Sequence, residues 1–351
     1  MTNRGGLVRY VIAACSCATI TVLAACSSGA DSPATPVSSA VAAGTSPSAS
    51  HPAGSTSTAA AADGTVAPLT GLPATGSVAQ RPAVAVAVAG SAPVGLSAAD
   101  VVFEEITSPV RYLAVFQSDE TAKAGPVTGT RPTDGQVLSV LHPLTSYDGG
   151  TSSFIAVLDS TKIIDDGYAG HSSMYSQGAG GLTISTAALA TSTSNDGPPP
   201  GLFSYRGPGA ALASERETHP TSVRIDIPGQ PAQQWNFNSS ADRWVETTGG
   251  PRVSVANLIV QIVSFKTVYL SRKYGQITQS ARVVGRGAAT VFSGTTPGGS
   301  GGTEAAGTWF KPGLAGVTNY FDAATLPMNF GAGPTWIVLA PAGTRTSQAG
   351  G

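Results

Sequence analysis

The sequence predicts an α+β or α/β chain, in which an N-terminal α/β domain with a mainly parallel or mixed sheet is followed by a β-rich C-terminal domain. Three observations carry this expectation. Between Arg81 and Ser118 stand three apolar, β-branched runs bounded by Gly, Pro and Asp. Helix-period stretches follow up to about residue 192, and strands interleaved with helices indicate an α/β layer. Beyond about residue 200 strand signals dominate.

Residues 1–26 stand apart from that fold. Arg4 and Arg9 flank the start of an apolar run, Tyr10 to Cys26, which has signal-peptide length and is short for a spanning helix. The run ends in Leu23-Ala24-Ala25-Cys26. This resembles the lipobox of bacterial lipoproteins, whose cysteine is lipidated and becomes the first residue; the alternative is an ordinary signal peptide with a chance cysteine. Cys15, Cys17 and Cys26 are the only cysteines. After processing, only the lipid-bearing sulfur of Cys26 would remain, so the exported domain would have no disulfide, thiol nucleophile or thiolate metal site. Its fold would rest on apolar burial without cross-links. One acyl chain holds only marginally, but this type of anchor carries several. Firm retention at the outer face of the cytoplasmic membrane, in the cell envelope, is therefore expected. Residues 27–66 are rich in Ser, Ala, Thr and Pro and lack aromatics. Such a stretch cannot bury enough surface to offset its ordering entropy. It reads as a tether with a mean reach of roughly 35 Å, and His51 within it as a solvated residue.

Residues 67–200 are the expected α/β domain. Arg81–Gly90, Ala99–Thr107 and Val110–Ser118 are nearly continuous in hydrophobicity, which marks central strands. From Asp134 to Pro143, Val137, Leu138 and Leu141 form one stripe and Pro143 stops the helix. Ser152–Ser160 does likewise with Phe154, Val157 and Leu158, and Thr183–Ser192 is a third helix. Asn195–Phe203 is a Gly/Pro break. In residues 201–345, Val223, Ile225 and Ile227 alternate onto one face, and Gln233–Glu246 reads as a hairpin with an Asn/Ser/Asp turn. Asn257–Leu270 is the strongest strand segment, followed by Ala281–Gly294 and Pro334–Pro341. Gly285-Arg286-Gly287 reads as a bulge and Thr296–Gly307 as a loop.

Charged residues make up only 11% of the chain, and the net charge is -1. No basic tract suits a nucleic acid. A surface of Ser, Thr, Gly, Asn and Gln suits a neutral glycan or a protein surface better than a polyanion. The four histidines, His51, His142, His171 and His219, show no metal-ligand spacing, so neither metal nor cofactor is expected. Asp165-Asp166-Gly167 stops short of a calcium-loop pattern and reads as a turn.

The ordered segments "PLTGLP", "RPAVAVAVA", "GLSAADVVFE", "RYLAVFQSD", "GPVTGTRP", "HSSMYS", "NLIVQIV" and "PTWIVLAP" run from about Pro68 to Pro341. Together they resemble the YerB-like bacterial lipoproteins, whose paired domains are of unknown function (domain of unknown function 3048). The resemblance implies a lipid-anchored envelope protein with an α/β N-terminal and a β-rich C-terminal domain, and no established activity. Departures from the family pattern remove polar groups from any shared cleft. The stretch before Arg111 is the shorter "ITSPV". Thr128 stands where relatives often have an arginine, leaving Arg131, and His171 is followed by Ser172 rather than Asn.

The segment "AGPVTGTRPTD", Ala124 to Asp134, sits at a strand-to-helix junction. Thr130 or Thr133 can cap the helix, and Arg131 lies beside N–H groups that favour anions. One reading is a carboxylate or phosphate clasp made by Arg131, Arg111 and backbone N–H; the favoured one is a brace in which Arg131 pairs with Glu104, Glu105 or Asp134. At a second junction, Asp148-Gly149-Gly150 precedes Thr151 and Ser152. An exposed serine there could act with His142 or His171 as base, but the Gly-x-Ser-x-Gly spacing is absent. His142 instead suits a helix C-terminus. The candidate ligand or brace cluster is thus Glu104, Arg111, Arg131, Asp134, Asp148 and His171. The tryptophans Trp235, Trp244, Trp309 and Trp336 read as core rather than as a sugar-stacking platform. The leading expectation is a non-catalytic binding or scaffold module for an envelope glycan, small ligand or protein. The rival is a hydrolase of cell-wall material using Asp148, Ser152 and His171 or Glu104.

Overall fold

Strand β1 (Val84–Ala89) is buried along nearly its whole length, and a strand with no solvated side belongs inside a sheet covered on both faces. The protein, as a computed structural model, is described over residues 65–350 apart from 162, 193–196, 208–209, 215–217, 272 and 295–300. The apolar run with Cys26, residues 27–64 of the expected tether with His51, and part of the Asn195–Phe203 break lie outside these residues. Following the single-turn α1 (Gly76–Ala79) and β1 come β2 (Val101–Glu105), β3 (Arg111–Phe116), α2 (Pro132–Leu138), β4 (Leu144–Ser146), α3 (Ser152–Ser160), β5 (Ile164–Asp165), α4 (Tyr168–His171), the hairpin β6 (Tyr175–Gly178) and β7 (Gly181–Ile184), and α5 (Thr186–Ala190). The C-terminal region contributes β8 (Ser222–Asp226), β9 (Gln233–Asn238), β10 (Arg243–Glu246), β11 (Ser254–Val255), β12 (Asn257–Ile262), β13 (Ser264–Ser271), β14 (Gln276–Arg282), β15 (Gly285–Ser293), β16 (Thr303–Lys311), β17 (Asn319–Asp322), β18 (Thr335–Ala340) and β19 (Arg345–Ala349). The expected division holds: a mixed sheet with helices, then strand-rich sheets.

Ten strands form one sheet in the order β17-β16-β15-β12-β18-β2-β3-β1-β4-β5. Strand β18 runs parallel to both β12 and β2 and joins the strands of the two regions. At the far side β1, β4 and β5 are parallel. Alternate side chains supply two cores. Ala85, Leu113, Val115, Ile259 and Leu339 face α2 and α3 through Leu138 and Leu158. Val86, Val102, Leu258 and Val338 face the five-stranded sheet β11-β10-β9-β8-β19, with Val223, Ile225, Trp235 and Trp244. All four tryptophans are buried, as core residues.

Several boundaries differ from expectation for physical reasons. The helix expected over Asp134–Pro143 is α2, Pro132–Leu138; Pro132 is tolerated in the first turn because its missing N–H would be unbonded anyway. Gly135 faces α3 so closely that a Cβ would lie 2.3 Å from Val157 Cγ1. The helix expected over Thr183–Ser192 is shorter, because Thr183 and Ile184 belong to β7 and Ser185 caps α5 by accepting the Ala188 N–H. Asn257–Leu270 splits at Val263: β12 stays in the large sheet, and β13 leaves it to pair with β14. The same departure splits Ala281–Gly294 between β14 and β15. Gly285–Gly287 is not a bulge, since its register with Trp309–Lys311 is unbroken. Glycine is needed there because a Cβ on Gly287 would lie 2.6 Å from the Trp309 Nε1. Thr303–Gly307 of the expected loop is strand in β16. Among the described residues no helix is long and apolar enough to cross a membrane.

Candidate functional site

The junction after β3 is built around one buried carboxylate. Asp134, in the first turn of α2, receives both ends of the Arg111 guanidinium, at 2.7 Å to Oδ1 and 2.6 Å to Oδ2. Arg111 Nη1 also lies 3.5 Å from Glu105 Oε2. Glu105 faces Arg111 across the β2–β3 ladder, and its Oε1 accepts from Thr133 Oγ1 (2.5 Å) and the Ala281 N–H (2.7 Å). Asp134 Oδ2 further accepts from Thr130 Oγ1 and the Arg131 N–H, both at 2.9 Å. Thr130 and Thr133 therefore do not cap the helix. Buried carboxylates need every available donor, so both hydroxyls are spent on them, and Asp134, third in the helix, reaches back to the N–H of Arg131 at the N-cap position. Burial pushes the Glu105 carboxyl up. Burial works against the Arg111 charge, yet Asp134 and Glu105 beside it raise its pKa overall. The brace is thus made by Arg111 and not, as expected, by Arg131, because Arg111 lies opposite Glu105 across the ladder. Arg131 is half-buried, and its Nη1 donates to the carbonyls of Gly129 (3.4 Å) and Thr130 (3.1 Å) of its own loop.

The other candidates lie elsewhere. Glu104 points to the opposite face of the sheet from Glu105. It accepts from Gln233 Nε2 (2.7 Å) and Trp336 Nε1 (2.8 Å), pinning the five-stranded sheet, and burial raises its pKa to about 7. Asp148 and Ser152 are exposed. Backbone bonds of 3.0 Å from Asp148 N to Thr128 O and from Thr130 N to Gly149 O zip the two glycine-rich loops together. His171 Nδ1 lies 3.6 Å from Asp166 Oδ1, and Ser192 Oγ donates to the other oxygen of Asp166 at 2.9 Å. That serine is bonded to the carboxylate, whereas nucleophile activation needs it on the imidazole. Among the described residues no hydrogen bond joins Asp148 or Ser152 to His171. Asp165 closes its turn by accepting from the Gly167 N–H at 2.8 Å. No group of three or more His, Cys, Asp or Glu side chains suited to a metal occurs among the described residues.

A cleft that the sequence reading missed lies beneath the helix braced by Arg111. Val137 and Val140 form its roof, Phe103, Ile337 and Leu339 its floor, and the enclosed space is about 20 Å³, enough for a water. Four polar residues line this apolar chamber: Gln261, Lys311, Thr318 and Tyr320. Tyr320 Oη donates to Gln261 Oε1 at 2.7 Å. Lys311, only 2% exposed, donates from Nζ to the Gly316 carbonyl. No carboxylate pairs with it among the described residues, and burial lowers its pKa to about 8. The segment 312–318 runs past the cleft and is held a second time by Ser139 Oγ donating to the Leu314 carbonyl. A sequence signal for Lys311 existed: in Trp309-Phe310-Lys311, strand alternation puts the lysine on the buried side with Trp309.

Residues 69–187 match the model of the protein of unknown function (DUF3048) N-terminal domain, and residues 225–337 that of its C-terminal domain. Among solved structures, the crystal structure of the YerB protein from Bacillus subtilis is similar with a TM-score of 0.61 at 20% identity, over 81% of this chain and 99% of that one. At that identity the likeness is one of fold. No curated protein sequence matches the chain.

Proposed function

Because this chain belongs to the DUF3048 family, whose fold is that of YerB, we propose that it is a non-catalytic binding module, anchored in the cell envelope by lipid on Cys26, for a small, mainly apolar ligand carrying one carboxylate. The observation that carries the proposal is Lys311. A buried ammonium with a single neutral acceptor is costly, and a carboxylate entering the apolar cleft would complete an ion pair where water is scarce. The same carboxylate would draw Lys311 away from Gly316. Segment 312–318 would then lose one of its side-chain ties, which supplies the room that 20 Å³ does not. An envelope glycan is less well supported, because the tryptophans that could stack on sugar rings are all buried. The hydrolase reading needs Ser152 and His171 to meet, and no hydrogen bond brings them together among the described residues.

Thermal unfolding of the full chain with decanoate, with decanol and with N-acetylglucosamine oligomers tests the ligand class. Decanoate should raise Tm clearly more than decanol does, and Lys311→Met should abolish that difference while still folding. A rise with the oligomers alone, or none with decanoate, would overturn it. The anchor is tested separately, by the intact mass of the cell-made protein and its release by Cys26→Ser.

A further inference from the structure

We infer that the β13–β14 hairpin is a contact for an anionic bilayer surface. Its base is packed: Phe265 lies against the core, Ala281 is buried, and the Ser280 hydroxyl bonds that of Thr133 at 2.8 Å. Among the described residues the two strands hydrogen-bond to each other and to no other strand, and an isolated two-stranded ribbon is marginal in water. Yet it exposes apolar groups. Tyr269 and Ile277 face one another in register and are 48% and 55% exposed, and Tyr274 at the turn is 70% exposed. Lys273 Nζ sits 5.1 Å from the centre of the Tyr274 ring.

Charge selects what covers this surface. Between Glu246 and Glu304 the chain has no Asp or Glu, while it carries six of its nineteen Lys and Arg residues. Lys266, Lys273, Arg282 and Arg286 among them are exposed. Tyrosines flanked by cations match the headgroup level of a bilayer, and each Lys or Arg near an anionic leaflet adds to the attraction. An acidic protein would meet the cations, but it gives no particular role to an apolar tip that projects beyond the fold. The envelope location proposed above supplies the bilayer, and the test does not depend on how the N-terminus is held.

The full chain carrying Tyr274→Trp is reconstituted into vesicles of brominated phosphatidylglycerol or of brominated phosphatidylcholine, with the unsubstituted protein as background for the buried tryptophans. Either an acylated Cys26 or the apolar run suffices to retain it, so failure of lipidation would not mimic failure of the hairpin. Emission from Trp at 274 should be blue-shifted and quenched at least roughly three-fold more by phosphatidylglycerol, and the quenching should fall in high salt. Adding Lys266→Glu and Lys273→Glu should remove it; Lys266→Gln with Lys273→Gln serves if the reversals unfold the ribbon. Equal quenching by both lipids would overturn the anionic assignment, and none by either would overturn the membrane contact.

Discussion

Arg111 is shared by two buried carboxylates, and that sharing sets what its loss does. Arg111→Met leaves Asp134 and Glu105 without their cation and should lower stability by about 3–5 kcal/mol in denaturant titration. Arg131→Ala removes only bonds to its own loop and should cost no more than about 1 kcal/mol. Two single groups should write themselves into the pH dependence. The Glu104 carboxyl is raised above its ordinary value to about 7. The unfolded chain therefore releases this proton first, and stability falls as pH rises from the ordinary carboxylate range towards 7. Glu104→Gln should flatten that slope. Lys311 is lowered to about 8, so above that pH the unfolded state holds the extra proton and stability rises towards pH 10.5. Lys311→Met should abolish the rise. At this scale the sequence was half legible. It offered Arg111, Glu105 and Asp134 as partners for a brace. Which arginine enters the core depended on Arg111 lying opposite Glu105 across a ladder, and register between strands is set by pairing that no local pattern encodes.

At the scale of elements, the contact of α2 with α3 admits only a hydrogen at position 135. Alanine is the better helix former by about 1 kcal/mol, yet Gly135→Ala should destabilise by about 1–3 kcal/mol through the overlap with Val157. Val157→Ala should relieve most of that cost in the double variant, as a thermal-melt cycle would show. Period and turn chemistry made β1, β2, β3 and α3 legible, because each lies wholly within one environment. Asn257–Leu270 was legible as strand but not as two strands. Its hydrophobicity continues past Val263 although the chain there exchanges a buried sheet for an exposed ribbon. The cleft is not legible because its walls come from separated segments between Phe103 and Leu339, and its cation follows Trp309 and Phe310 like an ordinary strand end.

For the molecule as a whole, the continuity of the ten-stranded sheet predicts one cooperative unfolding transition for both family-matched regions, detectable by calorimetry as agreement of the calorimetric and van't Hoff enthalpies. A chain ending before β18 should lose that transition, not merely half of it, because β2 and β12, both now largely buried, would each be left with an unpaired edge. The division into regions was visible in composition; the strand that crosses between them was not, since Pro334–Pro341 reads as a strand wherever it is placed.

Trp336 and Glu104, 232 positions apart, are joined by a hydrogen bond across the seam. Loops of that length close slowly and late. A keystone encoded this late leaves the strands before it provisional: they can gather but cannot lock until it is seated.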